Sequence, residues 1–295
     1  MGKSIRERKK ADFELVLKEL SSLPGMADVK LFEDKKDVND YFFKGVYGGV
    51  PCICKFSSIT VQSIRNEYEL TRTLHSVIPD LCPKALLLHE FKSVDGSAVV
   101  TEFVSGMCMR EACSNGVFED CAVARMSVDD IFRILEAMDK LSIIHRDFHP
   151  GNLILGADGR LKLIDLQFSV RKDRQGRYRE DSFLLKWFWS FLPVFGCITG
   201  VGVGRWNDIH AARMMLQLMP QYDFVRDFDR RLSVMEPTAT LYVKPGLFMW
   251  LLFPFNKLVC RIRLLMHRFY RTKKQKKFKN RLALMESACI GWTKN

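Results

Sequence analysis

Apolar and polar positions alternate differently along the chain, and the change of period divides it. Residues 11–21 place Phe13, Leu17 and Leu20 on one face of a helix. Strand-like runs follow at 29–33 and 41–46, on either side of a polar loop. Gly48-Gly49 makes a tight turn into a third strand, 50–56, where Cys52 and Cys54 alternate as packing residues. A helix is predicted over 63–77, with Glu67, Leu70 and Leu74 sharing one face, whereas Glu69 falls off it. Two more strands, 85–91 and 98–104, flank a Val94-Asp95-Gly96-Ser97 turn. An amphipathic helix over 128–141 carries Ile131, Leu135 and Met138 on one side. Residues 208–235 read as further helices, with Met214, Met215, Leu216 and Leu218 in the core.

Two stretches depart from this pattern. Residues 183–204 are apolar enough to raise a membrane span, but Lys186, Pro193 and the glycines after residue 195 favour a buried helix followed by a loop. In 245–271, apolar aromatics come first and basic residues then interleave with Leu, Met, Phe and Tyr. Of the net charge of +12, ten basic residues lie between Arg261 and Arg281 with no acid among them, leaving +2 for the rest. The basic character is therefore local. The order of aromatics and charges suits an element lying on an anionic membrane surface. Nucleic acid is not the expected partner, because the aromatics precede the charges instead of alternating with them.

Length and a hydrophobic content of 47% indicate a globular chain with one large domain or two smaller ones. Nine cysteines, without a CxxC pair, indicate a reducing compartment. The basic N-terminus lacks the apolar run of a secretory signal.

Candidate chemistry concentrates in 143–170. His145-Arg146-Asp147 is followed by Asn152. An apolar run then meets a Gly156-Ala157-Asp158-Gly159 turn, and a second run ends at Asp165. The hairpin would bring Asn152 and Asp165 together as hard oxygen ligands for Mg²⁺, with Asp147 on the preceding loop facing an acceptor hydroxyl. His145 and His149 lack the further soft ligand a zinc site needs, and His145 reads as a packed residue.

These residues resemble the catalytic and metal loops of the protein-kinase-like fold. The resemblance implies an α+β, two-lobe architecture, with a small β-rich lobe over 1–104, a larger helical lobe over 105–244 and a separate basic, aromatic element over 245–295. It implies ATP and Mg²⁺, with Asp147 catalytic and Asn152 and Asp165 on the metal. Cys52-Ile53-Cys54-Lys55 resembles the strand whose lysine holds the α and β phosphates, which makes Glu67 the partner of Lys55. Glu102-Phe103-Val104-Ser105-Gly106 resembles the interlobe hinge, so main-chain groups of Glu102 and Val104 would meet adenine. The chain departs from protein kinases in three places. The loop 34–40 has no glycine; Lys35 or Lys36 could cover phosphate there, but a solvated turn is the favoured reading of these two lysines. Asp165-Leu166-Gln167 stands where those kinases have Asp-Phe-Gly, and Ala-Pro-Glu is missing. The segment SAVVTEFVSG (97–106), Ile164-Asp165-Leu166 in place of Asp-Phe-Gly, and GRYREDSFLLKWFWSF where protein kinases carry an activation loop are similar to the lipopolysaccharide core kinases, which include heptose and Kdo kinases. That family implies a sugar hydroxyl of a glycolipid as acceptor, at the cytoplasmic face of the inner membrane. The alternatives are an atypical protein Ser/Thr kinase and a membrane-associated pseudokinase scaffold.

Overall fold

A computed structural model describes residues 5–33, 40–58, 61–172, 205–220, 222–235 and 240–242. In chain order the elements are α1 (Ile5–Ser21), β1 (Met26–Glu33), β2 (Asp40–Tyr47), β3 (Val50–Ser57), α2 (Val61–His75), β4 (Ala85–Glu90), β5 (Ser97–Glu102), β6 (Gly106–Cys108) and α3 (Met109–Ser114). Then follow α4 (Cys121–Lys140), β7 (Ile143–Ile144), β8 (Leu153–Gly156), β9 (Leu161–Leu163), β10 (Val170–Arg171), β11 (Arg205–Asn207), α5 (Asp208–Leu216), α6 (Asp223–Met235) and β12 (Thr240–Tyr242). Among the described residues, packing groups those up to 112 with 151–169 in one unit, and 113–150 with those from 170 onward in a second.

The first unit is built on an antiparallel sheet ordered β1-β2-β3-β5-β4. Period-two alternation gives it two distinct faces. Cys52, Cys54 and Phe56 point one way, with Phe43 and Val100 opposite Cys54, and pack against Val16 and Leu20 of α1. Phe13 stacks on Phe43 with centroids 5.6 Å apart. The other face carries Ile53 and Lys55, and there α2 buries Ile64, Leu70 and Leu74. Gly48 and Gly49, at φ 57° and 83°, supply the left-handed backbone that a two-residue hairpin needs.

A second sheet, β6-β8-β9, completes this unit. The hairpin 151–169 was expected within the larger helical lobe. It groups with the first unit because β6, directly after the β5 segment, pairs with β8 in the register Gly106↔Gly156, Met107↔Leu155. A Cβ on Gly106 would stand 2.1 Å from the Leu155 carbonyl oxygen, so only glycine permits this approach.

In the second unit, α4 begins at Cys121, seven residues before the predicted start. Asp120 caps it, accepting from the Ala122 and Val123 N–H groups at 2.8 and 3.2 Å. Its buried face, including Ile131, Leu135 and Met138, is joined in the core by Phe228 and Leu232 of α6. Phe132 meets Phe228 edge-on, and the Arg231 guanidinium covers the Phe132 ring at 3.9 Å. Met215 and Leu216 are buried as expected, whereas Met214 and Leu218 are half-buried. The six described cysteines are unbridged. No described helix is long and apolar enough to cross a membrane. Lys35, Lys36 and the stretches 183–204 and 245–295 lie outside the described residues.

Candidate functional site

Lys55 projects from β3 opposite Val99 of β5. Its Nζ lies 3.1 Å from Glu67 Oε2 and donates to Asp165 Oδ1 at 2.6 Å. The lysine side chain is 8% exposed and that of Asp165 31%. Burial alone would pull the ammonium pKa down. The Asp165 and Glu67 carboxylates outweigh it, so the pKa stands above the ordinary lysine value and the group is a cation throughout the physiological range. Glu67 reaches it because α2 turns the same face inward through Ile64, Glu67, Leu70 and Leu74; Glu69 is exposed.

The β8–β9 hairpin pairs Leu153↔Leu163 and Leu155↔Leu161, and Gly159 takes φ 75° in the turn. One residue beyond the last pair, the Ile164 N–H donates to the Asn152 carbonyl at 2.9 Å. Asn152 and Asp165 therefore leave the hairpin from the same end. Asn152 is buried. Asp165 sits at φ 62°, a left-handed conformation that costs an aspartate about 1 kcal/mol, and the bond from Lys55 holds its side chain there.

Glu102 closes β5, and its Oε2 accepts from the Lys84 N–H at 3.4 Å. The Phe103 N–H donates to the Pro51 carbonyl at 2.9 Å. Glu102, Val104 and Ser105 border a cavity of about 250 Å³ shared with Pro83, Asp158 and Lys162. Lys55, Asn152 and Asp165 are not among its walls. The cavity offers main-chain groups of 102–105, whereas the charged cluster carries the groups that phosphate and a metal ion need. Lys44, beside Ile53 on the Lys55 face, holds its ammonium 4.0 and 4.1 Å from the Phe32 and Phe103 ring centroids.

Asp147 belongs to the second unit. It is half-buried, its Oδ2 lies 3.5 Å from His149 Nε2, and its N–H donates to His145 Nδ1 at 3.3 Å. His145 is fully buried and meets Phe148 edge-on, so it packs as expected. Arg146 takes φ 64°. The buried Asp208 holds this bend by accepting the His145 and Arg146 N–H groups at 2.6 and 3.2 Å. Burial pushes its carboxyl up to about 6, against the pull of those two N–H groups and of Lys172 and Arg146. Lys172, whose own pKa is lowered by burial against the pull of Asp139 and Asp208, lies 3.7 Å from Asp139.

Sequence reasoning missed Asp208, 63 positions after His145. An acid opening a helix is a visible signal, but it reads as a helix start and not as a clamp on a distant loop.

The donor set at the hairpin end is one carboxylate and one amide oxygen. That fits a hard divalent cation whose other ligands come from nucleotide phosphate and water. Among the described residues no group of three His, Cys, Asp or Glu could hold a metal unaided.

No protein-family model matches the chain. It is similar over 84 residues, at 36% identity, to the serine/threonine-protein kinase sid2 of Schizosaccharomyces pombe, covering 28% of this chain and 14% of that protein. Over 137 residues it is 28% identical to the probable serine/threonine-protein kinase mkcD of Dictyostelium discoideum, covering 45% and 20%. Cyclin-dependent kinase 7 of Xenopus laevis is 30% identical over 107 residues, covering 36% and 30%. The chain thus matches less than a third of the length of each of these curated relatives. With the sheet, helices and hairpin described above, these likenesses define an α+β, two-lobe protein-kinase-like fold.

Proposed function

We propose that the protein is an ATP-dependent phosphotransferase acting on a serine or threonine hydroxyl of a polypeptide. The observation that carries the reading is the Lys55 ammonium held between the Glu67 and Asp165 carboxylates. The named relatives, all protein kinases, favour a polypeptide acceptor over the sugar expected from the sequence.

Lys55, oriented by Glu67, holds the α and β phosphates. Main-chain groups of Glu102 and Val104 take adenine. Asn152 and Asp165 would hold Mg²⁺, which would supply positive charge against that developing on the phosphate oxygens. Asp147 orients the acceptor hydroxyl and accepts its proton. Most of the rate then comes from positioning and charge.

The test is incorporation of radiolabelled phosphate from ATP by the full chain and by Asp165→Ala. Label in protein that disappears with the variant, while its unfolding transition stays cooperative, supports the reading. Undiminished turnover in Asp165→Ala refutes the metal role. Lack of any Mg²⁺-dependent nucleotide stabilisation points to a pseudokinase scaffold.

A second reading keeps a lipopolysaccharide-type glycolipid as acceptor, at the cytoplasmic face of an inner membrane. It is favoured by Asp165-Leu166-Gln167 in place of Asp-Phe-Gly and by the stretch 261–281, each Lys or Arg of which would contribute about 1 kcal/mol at an anionic surface. Envelope glycolipid offered beside total protein separates the two: label confined to glycolipid overturns the first. Binding to anionic vesicles that weakens with salt supports the surface element.

A further inference from the structure

Asp165 lacks the local sequence that holds a metal loop in protein kinases. It takes a left-handed φ without a following glycine, and Leu166-Gln167 succeeds it. Its position must be fixed from elsewhere. One fixing point is Lys55, through the 2.6 Å bond to Oδ1. A second lies four residues on. The Asn66 side-chain amide donates to the Ser169 carbonyl at 2.6 Å. Between the two points the segment closes a turn, with the Ser169 N–H donating to the Leu166 carbonyl at 3.0 Å and both residues buried.

Asn66 and Glu67 are consecutive on α2. Glu67 acts at the front of the loop through Lys55, and Asn66 acts directly at its end. We propose that Asn66 is a positioning residue that locks the metal loop to α2, so that helix and loop move as one body and the cluster stays assembled without an activating modification. The helix can leave only by breaking an ion pair and a hydrogen bond together. An asparagine here does what loop sequence does elsewhere. The amide must donate, since its partner is a carbonyl; a carboxylate of the same shape cannot. The metal part of the inference rests on the proposed role of Asp165, whereas the lock itself does not.

The test compares Asn66→Asp, Asn66→Gln and Arg65→Ala in the full chain. Arg65 is the adjacent α2 residue, paired with Glu90 on the surface. Backbone hydrogen exchange is followed over 164–169 without nucleotide, and Mg²⁺–ATP binding is titrated separately. Losing one such bond corresponds to about tenfold in an equilibrium. In Asn66→Asp the Ser169 amide should exchange about tenfold faster and Mg²⁺–ATP should bind about tenfold more weakly, with amides of β3 and β5 unchanged. Asn66→Gln, which keeps a donor, should fall between, and Arg65→Ala should match the parent. Parent-like exchange at 166–169 in Asn66→Asp overturns the lock. Should that variant unfold globally, Asn66→Ser, too short to reach Ser169, decides by the same readout. A parent protein that binds no Mg²⁺–ATP defeats the proposed function, while the exchange comparison still decides the lock.

Discussion

The Lys55 ammonium donates to the Asp165 carboxylate at 2.6 Å across 110 positions of chain. Removing the cation leaves two carboxylates facing each other in a largely buried place. Lys55→Ala should therefore cost about 3 kcal/mol of unfolding free energy as well as nucleotide affinity. Urea unfolding and a thermal-shift titration with Mg²⁺–ATP measure the two losses separately.

Glu67 and Glu69 are a natural pair of controls, two positions apart on one helix with opposite exposure. Glu67→Gln keeps the shape and removes the charge that orients Lys55. Its KM for ATP should rise about tenfold, whereas Glu69→Gln should leave KM within about twofold of the parent. Equal effects of the two would detach Glu67 from the site.

Asp208→Ala deprives two buried N–H groups of their acceptor. The expected loss is about 3 kcal/mol, with a larger fall in kcat than in KM because the bend carrying Asp147 relaxes. Steady-state kinetics beside chemical unfolding would reveal it. Parent-like kinetics in a folded variant would mean the clamp is dispensable.

Glu19 should contribute to the acid sensitivity of the fold. This α1 carboxylate accepts from the Lys92 and Ser93 N–H groups at 2.9 and 3.0 Å, from the Ser93 hydroxyl, and meets His89 Nε2 at 2.9 Å. Burial pushes its pKa up, but these donors prevail and bring it from 4.5 to about 2. A depressed carboxyl stabilises the fold above its unfolded pKa, and that contribution is lost as pH falls through the folded one. The difference in unfolding free energy between the parent and Glu19→Gln should shrink between pH 4.5 and about 2. A difference unchanged over that window would contradict the assignment.

Gly106→Ala places a methyl against the Leu155 carbonyl. Relief requires β6 to move off β8, so the variant should lose about 2–3 kcal/mol or more, and ATP affinity should fall with it. Calorimetry and nucleotide titration on one sample would test both.

Much of this arrangement was readable from short-range pattern. Cys52, Cys54 and Phe56 announce β3 by alternation, and that alternation also puts Lys55 on the opposite face. Helical spacing through Leu70 and Leu74 selects Glu67 over Glu69. Gly156-Ala157-Asp158-Gly159 announces the turn that brings Asn152 and Asp165 to one end. What could not be read depends on contacts between distant positions. Asp208 serves a loop 63 positions earlier, and Asn66 bonds a carbonyl 103 positions later. A polar side chain that satisfies a remote backbone group leaves no period in the sequence. Asp120 is a different case: a cap ahead of Val123 and Ala124 was present in the sequence, but the stronger amphipathic signal from Val128 onward masked it.

The first unit is not a continuous stretch of polypeptide: it needs residues 151–169 after an excursion through 113–150. During synthesis Lys55 and Glu67 emerge early, yet the acid that completes their charge balance is 110 positions behind Lys55. At about 5–20 residues per second that delay is about 5–20 s, during which the nascent sheet carries a lysine–glutamate pair without its third member. Closure over so long a loop is slow in itself. A nascent chain stalled before the hairpin would thus expose the surface on which Asp165 later settles, giving chaperones a defined interval in which to act.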